Sequence, residues 1–347
     1  MTGTEHDERR PGLGRSRGPS RGQLTLLVAL TAPWFLGLGM TPITARAEAH
    51  CGIPAAAGAA QGLEPAKAAT PAAGPGIIQI EGAAPATPAS LPAATPVAAL
   101  EPAEALTQEL TTVSEALAAC LSAGKSDTIV ALAGERYLGQ VFGSSVPMSR
   151  QEYVAMTSGV RPVPTHIVSV ADVVAGADGR ATATVTQVVG NQLLRARWQF
   201  ERAPADERRR GQTTWRLAAE TRLPAPTPSD AATIDVGIGD RAFTLSQATI
   251  RGSDVVLRGN NTSNEDHEML VLRFAPGFTT EDLLRASGPG LPKEVTYIGE
   301  LPVRANGRGD LVLTDLERGT YHIVCLFPDA DGTPHLADGM EATFTVT

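Results

Sequence analysis

Residues 48–105 limit what this chain can fold into more than any other feature of its sequence. About half of them are Ala or Pro, and none is Phe, Trp or Tyr. Because Pro interrupts the helices that Ala favours and there is no large side chain to bury, we predict a disordered linker. A second Pro-rich stretch, residues 224–229, predicts a short hinge. The sequence is thereby divided into two blocks, residues 106–223 and 230–347.

Residues 1–47 have the pattern of a targeting segment, which is not expected to be part of the folded protein. Arginines precede an apolar run from Leu24 to Met40, and the Ala-x-Ala pattern of a cleavage site follows at Ala45 and Ala47. This order is typical of a signal peptide. The alternative is an uncleaved membrane anchor, because the run is only slightly shorter than the ~20 residues of a membrane span. In either case we expect an extracytoplasmic protein, secreted or tethered to the outer face of the membrane, with membrane contact only through this segment.

Charge and cysteine content exclude several classes of protein. The formal net charge is −8, and most of the acidic excess lies in the C-terminal block, which argues against a nucleic-acid partner. Three cysteines cannot form a disulfide-rich scaffold or a four-cysteine zinc site. We expect Cys120 to be a small core residue of a helix. We do not expect it to pair with Cys51, which lies in the predicted linker.

The middle block, residues 106–223, predicts helices followed by strands. Apolar residues recur at helical spacing through Leu106, Leu110, Val113, Leu117 and Leu121. A second helix is predicted from Ser126 through Tyr137 and a third at residues 149–154. Strands are predicted at residues 166–174, 181–186, 193–201 and 214–217. Helices followed by a meander of strands indicate the α+β class.

This order resembles the NTF2-like (SnoaL-like) superfamily. The resemblance is carried by Asp178-Gly179-Arg180-Ala181-Thr182-Ala183-Thr184-Val185, by Arg197-Trp198-Gln199-Phe200 and by Thr214-Trp215-Arg216-Leu217. It implies a cone with an internal cavity, and members of the superfamily are enzymes, binding modules or oligomerisation domains. We therefore expect this block to be able to form a homodimer. His166 and Asp172 have the same parity, so they would line the cavity as base and orienter, or else lie exposed at a strand entry and a turn.

The C-terminal block, residues 230–347, predicts an all-β fold. Seven short strands are predicted at residues 234–238, 242–245, 254–258, 269–274, 311–313, 321–327 and 342–346. Gly-rich turns separate them, which is typical of a β-sandwich. A capped helical turn at residues 279–285 interrupts the series.

One thiol, two imidazoles and one thioether occur in this block at Cys325, His267, His335 and Met340. They make up the ligand set of a blue-copper site. Thiolate and thioether stabilise Cu(I), whereas imidazole accepts both oxidation states. The sequence therefore predicts a copper site.

The C-terminal block also resembles the cupredoxin (plastocyanin-like, blue-copper) family. Gly319-Thr320-Tyr321 precedes Cys325 as in that family, Gly339 precedes Met340, and His267 follows an Asn-rich turn. The resemblance implies a Greek-key cupredoxin-like sandwich holding one type 1 copper ion. By it, Cys325 would be the equatorial thiolate, His267 and His335 the equatorial imidazoles and Met340 the axial ligand. One departure is that nine residues separate Cys325 from His335 where plastocyanin-like proteins have two, and this insertion is interpreted as an acidic surface turn.

Missing motifs favour an electron carrier or a binding protein over an enzyme. The sequence has no His-x-His pair, no second Cys near Cys325, and no His beside it. The leading hypothesis is an exported copper-binding, one-electron-transfer protein with a redox partner protein. One alternative is a metal-free cupredoxin-like binding or structural module. A second is a small-molecule enzyme or binder that uses the NTF2-like cavity.

Overall fold

The computed structural model describes residues 51–54, 102–176, 178–206 and 214–347. The predicted signal peptide, and the linker except for residues 51–54 and 102–105, lie outside the described residues. Within the described part of the chain, no helix combines the length and hydropathy needed to cross a membrane.

Four helices open the middle block and four antiparallel strands follow. The helices are α1 (Pro102–Ala123), α2 (Ser126–Leu132), α3 (Glu135–Val141) and α4 (Arg150–Thr157). The strands are β1 (Thr165–Ala175), β2 (Ala181–Val189), β3 (Gln192–Arg202) and β4 (Trp215–Leu223). The order is that of the predicted α+β class, and the NTF2-like resemblance stays a prediction. The second predicted helix is divided at Ala133 and Gly134, where the chain forms a bridge to Leu217 of β4.

Helix α1 packs on the sheet through the face predicted from its spacing. Leu110 and Leu117 are fully buried in one cluster with Trp198 and Phe200 of β3. The start of α4 is fixed by a capping box, in which the Ser149 hydroxyl accepts from the Glu152 amide and the Glu152 carboxylate accepts from the Ser149 amide.

Cys51 and Cys120 form a disulfide bond, so the prediction that they would not pair was wrong. Cys120 is a core residue of α1, as expected, and Cys51 packs against the same core. The prediction failed because sequence composition describes the Ala/Pro segment as a whole and does not show that its first residues dock on the block that follows it.

The C-terminal block is a two-layered β-sandwich of nine strands and one short helix. Its elements are β5 (Ala232–Ile238), β6 (Phe243–Leu245), β7 (Thr249–Ile250), β8 (Val255–Asn261), β9 (His267–Phe274), α5 (Thr280–Arg285), β10 (Val295–Val303), β11 (Arg308–Leu313), β12 (Gly319–Val324) and β13 (Glu341–Val346). One layer has the order β11-β8-β5-β6 and the other β10-β9-β12-β13-β7. Their inner faces share one apolar core that includes Leu257 and Leu311 from one layer and Val271 and Phe344 from the other.

Strands β7 and β10 were not predicted from the sequence. Strand β10 contains Gly299 and Pro302, which weaken a strand pattern, and its pairing with β9 has an irregularity between Tyr297 and Gly299. The predicted helical turn at residues 279–285 is confirmed as α5, with Thr279 as its capping residue.

The two blocks share a sheet. Gln192 at the start of β3 pairs with Leu313 at the end of β11, which joins the sheet of the middle block to one layer of the sandwich. The turn between β2 and β3 sits against β10: Gly190 has a φ of +62°, and a Cβ there would lie 2.9 Å from the Ile298 carbonyl oxygen. This turn therefore requires glycine both for its backbone conformation and for the close approach of the second block.

Candidate metal centre

All four predicted ligands lie at one end of the same sheet. His267 is the first residue of β9, and Cys325 directly follows β12. His335 begins a single 3-10 turn, His335–Asp338, and Met340 directly precedes β13. Because β12 is antiparallel to both β9 and β13, these strand ends meet.

The two imidazoles and the thiol converge on one point. The distance between His267 Nδ1 and His335 Nδ1 is 3.0 Å. Cys325 Sγ lies 3.8 Å from His267 Nδ1 and 3.5 Å from His335 Nδ1. Three atoms at these separations lie on a circle of radius about 2.0 Å, close to the about 2.0–2.3 Å of metal bonds to imidazole nitrogen and thiolate sulfur. The three ligand atoms therefore fit one transition-metal ion.

Met340 is fully buried in the core shared by the two layers. Its amide donates to the His335 carbonyl at 3.2 Å, and its carbonyl accepts from the Cys325 amide at 3.3 Å. The backbone of Met340 is thus fixed to two of the three converging residues. Its side chain is the thioether that the sequence assigned to the site.

The insertion between Cys325 and His335 is a closed hairpin. The Asp329 amide donates to the Thr333 carbonyl at 2.8 Å, and Pro328 and Pro334 form a bridge. The Leu336 amide donates to the Cys325 carbonyl at 2.8 Å. The extra residues therefore loop out and return, so the longer spacing does not separate His335 from Cys325.

This hairpin also holds His335 from outside, which the interpretation as a plain surface turn missed. Asp329 Oδ1 lies 3.3 Å from His335 Nε2, on the side of the ring opposite Nδ1. Arg241 forms ion pairs with Asp329, with Glu265 at 2.6 Å and with Asp338 at 3.4 Å. A carboxylate on the far nitrogen fixes the ring orientation and leaves Nδ1 available to a metal ion.

The electrostatics of the site favour neutral groups. Burial, followed by the neighbouring His335, lowers the pKa of His267, and burial, followed by Arg241, lowers the pKa of His335. Burial raises the pKa of the Cys325 thiol to about 12. Both imidazoles are therefore available as ligands at neutral pH, whereas the thiol must release a proton when a metal binds.

Glu268 is a buried carboxyl group beside the site that the sequence analysis did not single out. It is only 4% exposed, and its Oε1 accepts from the Leu326 amide at 2.9 Å. Its own amide donates to Cys325 Sγ at 3.5 Å. Burial and the neighbouring Glu300 raise the pKa of Glu268 well above the usual value. The only signal in the sequence was a charged residue between His267 and the apolar run Met269–Leu272.

The predicted pair in the middle block does not form a site. His166 and Asp172 both lie exposed on β1, and Asp172 has a positive φ of +50° at an irregularity of the β1–β2 pairing. The exposed alternative was therefore correct. Two irregularities in β1 break the simple alternation on which the argument from shared parity depended.

No protein-family model matches this chain, and no curated protein matches it. Among solved structures, the chain is similar to reduced auracyanin from the photosynthetic bacterium Roseiflexus castenholzii, with 21% identity over 34% of this chain and 98% of that chain and a TM-score of 0.25. It is similar to auracyanin B with 20% identity over 35% of this chain and 93% of that chain and a TM-score of 0.25. For a multi-copper oxidase from Pediococcus acidilactici the identity is 12% over 48% of this chain and 38% of that chain, with a TM-score of 0.23. With TM-scores this low, the assignment of the site rests on its own geometry.

Proposed function

We propose that this protein is an exported carrier of single electrons with one type 1 copper ion in a cupredoxin-like C-terminal sandwich. His267, Cys325 and His335 would be the equatorial ligands and Met340 the axial ligand. The observation that carries the proposal is the convergence of two Nδ1 atoms and one Sγ atom within 3.0 to 3.8 Å of one another. This donor set suits copper, because soft sulfur ligands favour Cu(I) and imidazole suits both oxidation states.

The described residues suit a site that changes charge with little rearrangement. Cys325 and His267 are fully buried and His335 is 3% exposed, so the protein excludes water from the ligands. The thiol is held by the Glu268 amide and His335 by Asp329. Bound copper would supply the one-electron couple, and the fixed side chains would keep its geometry the same in both oxidation states.

The disulfide supports export. Disulfide bonds persist outside the reducing cytosol, and Cys51 and Cys120 form one while Cys325 stays free. This agrees with the predicted signal peptide.

Arg241 and several carboxylates surround the outer edge of His335, and the acidic C-terminal block suits a basic redox partner.

The test is copper binding and redox cycling by the purified chain. We expect one copper per chain after removal of excess Cu(II), and a bound ion that is reduced and reoxidised without loss. His335→Gln should abolish retention, whereas His166→Gln, which removes an exposed imidazole of the middle block, should not. Equal retention by the two variants would show that copper binds without His335, and no retention by the wild type would leave a metal-free sandwich. Either result would disprove the proposal.

A further inference from the structure

A series of hydrogen bonds begins in the middle block and ends at the thiol of Cys325. Its first member is Gln192, the first residue of β3, which is 6% exposed. The Gln192 side chain donates to the Glu300 carbonyl at 2.8 Å and accepts from the Glu300 amide at 3.1 Å. One side chain thereby satisfies both backbone groups of Glu300 on β10 of the other block.

The second part of the series lies within the sandwich. Glu300 and Glu268 occupy diagonal positions on the paired strands β10 and β9, and their side chains share a hydrogen bond. Glu268 accepts from the amide of Leu326 and donates its own amide to Cys325 Sγ. Gln192 and Glu268 are both buried, so the loss of one of their bonds leaves a buried polar group without a full replacement.

We propose that Gln192 is a positioning residue for the candidate metal centre, acting through Glu300 and Glu268 on Cys325. By fixing both backbone groups of Glu300, Gln192 sets the position of the Glu300 carboxyl. That carboxyl in turn orients Glu268, which holds the sulfur atom and the residue that follows it. The middle block is therefore part of the machinery that shapes the site. The consequence for copper rests on the proposed function, whereas the consequence for the thiol does not.

The metal-free protein gives the first test, because Cys325 is its free thiol among the described cysteines and the other two form a disulfide. Gln192→Met keeps the side-chain volume and removes both hydrogen bonds. We expect it to raise the rate at which iodoacetamide alkylates Cys325 by about 2- to 30-fold, the range of coupling seen along such networks. The matched control is Asn191→Ala, which also removes two bonds between the blocks, to the Thr314 and Asp315 carbonyls. It should leave the rate within about twofold of the wild type.

A double-mutant cycle separates transmission through Glu268 from general loosening of the interface. In a Glu268→Met background, Gln192→Met should have no further effect on alkylation. If Gln192→Met acts no more strongly than Asn191→Ala, or has its full effect in the Glu268→Met background, the proposal is wrong.

A measurement on the unaltered protein decides the matter if a variant does not fold. The Glu300, Leu326 and Glu268 amides are the three backbone N–H groups in the series. They are expected to exchange with solvent through the same opening, at rates with the same denaturant dependence. Different dependences would overturn the proposal.

With copper bound, Gln192→Met should also shift the thiolate-to-copper absorption, and Asn191→Ala should not. A chain that binds no copper would disprove the proposed function and leave the alkylation and exchange results to decide this one.

Discussion

Asp329 lies outside the proposed ligand set but contacts one of its members. It contacts the outward nitrogen of His335 and is held by Arg241. We predict that Asp329→Asn weakens copper binding by about 10- to 100-fold, the usual effect of removing a carboxylate behind a metal-bound imidazole. Competition with a chelator measures this affinity.

The control is Asp331→Asn on the same hairpin, because Asp331 accepts from the Thr333 amide and does not contact His335. It should bind copper as the wild type does. Equal losses in both variants would show that Asp329 acts only by shaping the hairpin.

Glu300 predicts a pH dependence of stability. Burial raises its pKa to about 7 from an unfolded value near 4.5. The folded state therefore binds a proton more tightly than the unfolded state, and this stabilisation is complete below about pH 4.5 and is lost as the pH rises to about 7. Glu300→Gln keeps a neutral hydrogen-bonding group at all pH values. We expect its free energy of unfolding to exceed that of the wild type by about 3 kcal/mol at pH 8 and to be similar at pH 4.5.

Urea unfolding of the two proteins across this pH range checks the prediction. Parallel stability curves would mean that Glu300 does not take up a proton on folding.

At the scale of residues, the sequence predicted the centre of the site but not its surroundings. His267, Cys325 and His335 come together as the resemblance implied. Ligands are recognisable because metal chemistry restricts them to a few residue types in a fixed order. Asp329, Arg241 and Glu268 were missed because carboxylates and guanidinium groups are common on surfaces, and only the fold shows which ones face a ligand.

The disulfide joins helix α1, which contains Cys120, to Cys51, which lies 69 residues earlier in the sequence. Closing a long loop restricts the unfolded chain, so reduction should lower the free energy of unfolding by about 2–4 kcal/mol. Urea titrations with and without reductant measure this difference. Without reductant, Cys51→Ser should be less stable than the wild type, and reductant should not change its free energy of unfolding. If reductant does not change the stability of the wild type either, the disulfide bond is contradicted.

At the scale of elements, apolar patterning predicted most helices and strands because buried faces repeat with fixed periods. The patterning failed where contacts with distant parts of the chain determine where an element lies or ends. Strand β10 keeps Gly299 and Pro302 because it is the edge of its layer and meets the turn of the other block. The division between α2 and α3 follows from a bridge to β4, which is a contact distant in the sequence.

The whole molecule is predicted to unfold as one unit, because its blocks share a sheet and Arg161 donates to the Leu291 and Val295 carbonyls across the interface. Copper should raise the temperature of this single transition, since it binds only the folded state. In Arg161→Ala we expect two calorimetric transitions, of which only one depends on copper.

Arg285→Ala, which removes ion pairs within α5 alone, is the control and should keep one transition. Two transitions in the wild type would contradict the coupling of the blocks. The sequence predicted two blocks but not the sheet that joins them, because composition marks a hinge and does not reveal the pairing of Gln192 with Leu313.

The most direct test of the central claim is the visible spectrum and copper content of the full chain, measured for the wild type and for Cys325→Ser. The account predicts one copper per chain and an intense thiolate-to-copper band in the wild type. Cys325→Ser should lose that band, since serine offers no sulfur. A wild-type protein that retains no copper, or retains it without the band, would contradict a type 1 site at His267, Cys325, His335 and Met340.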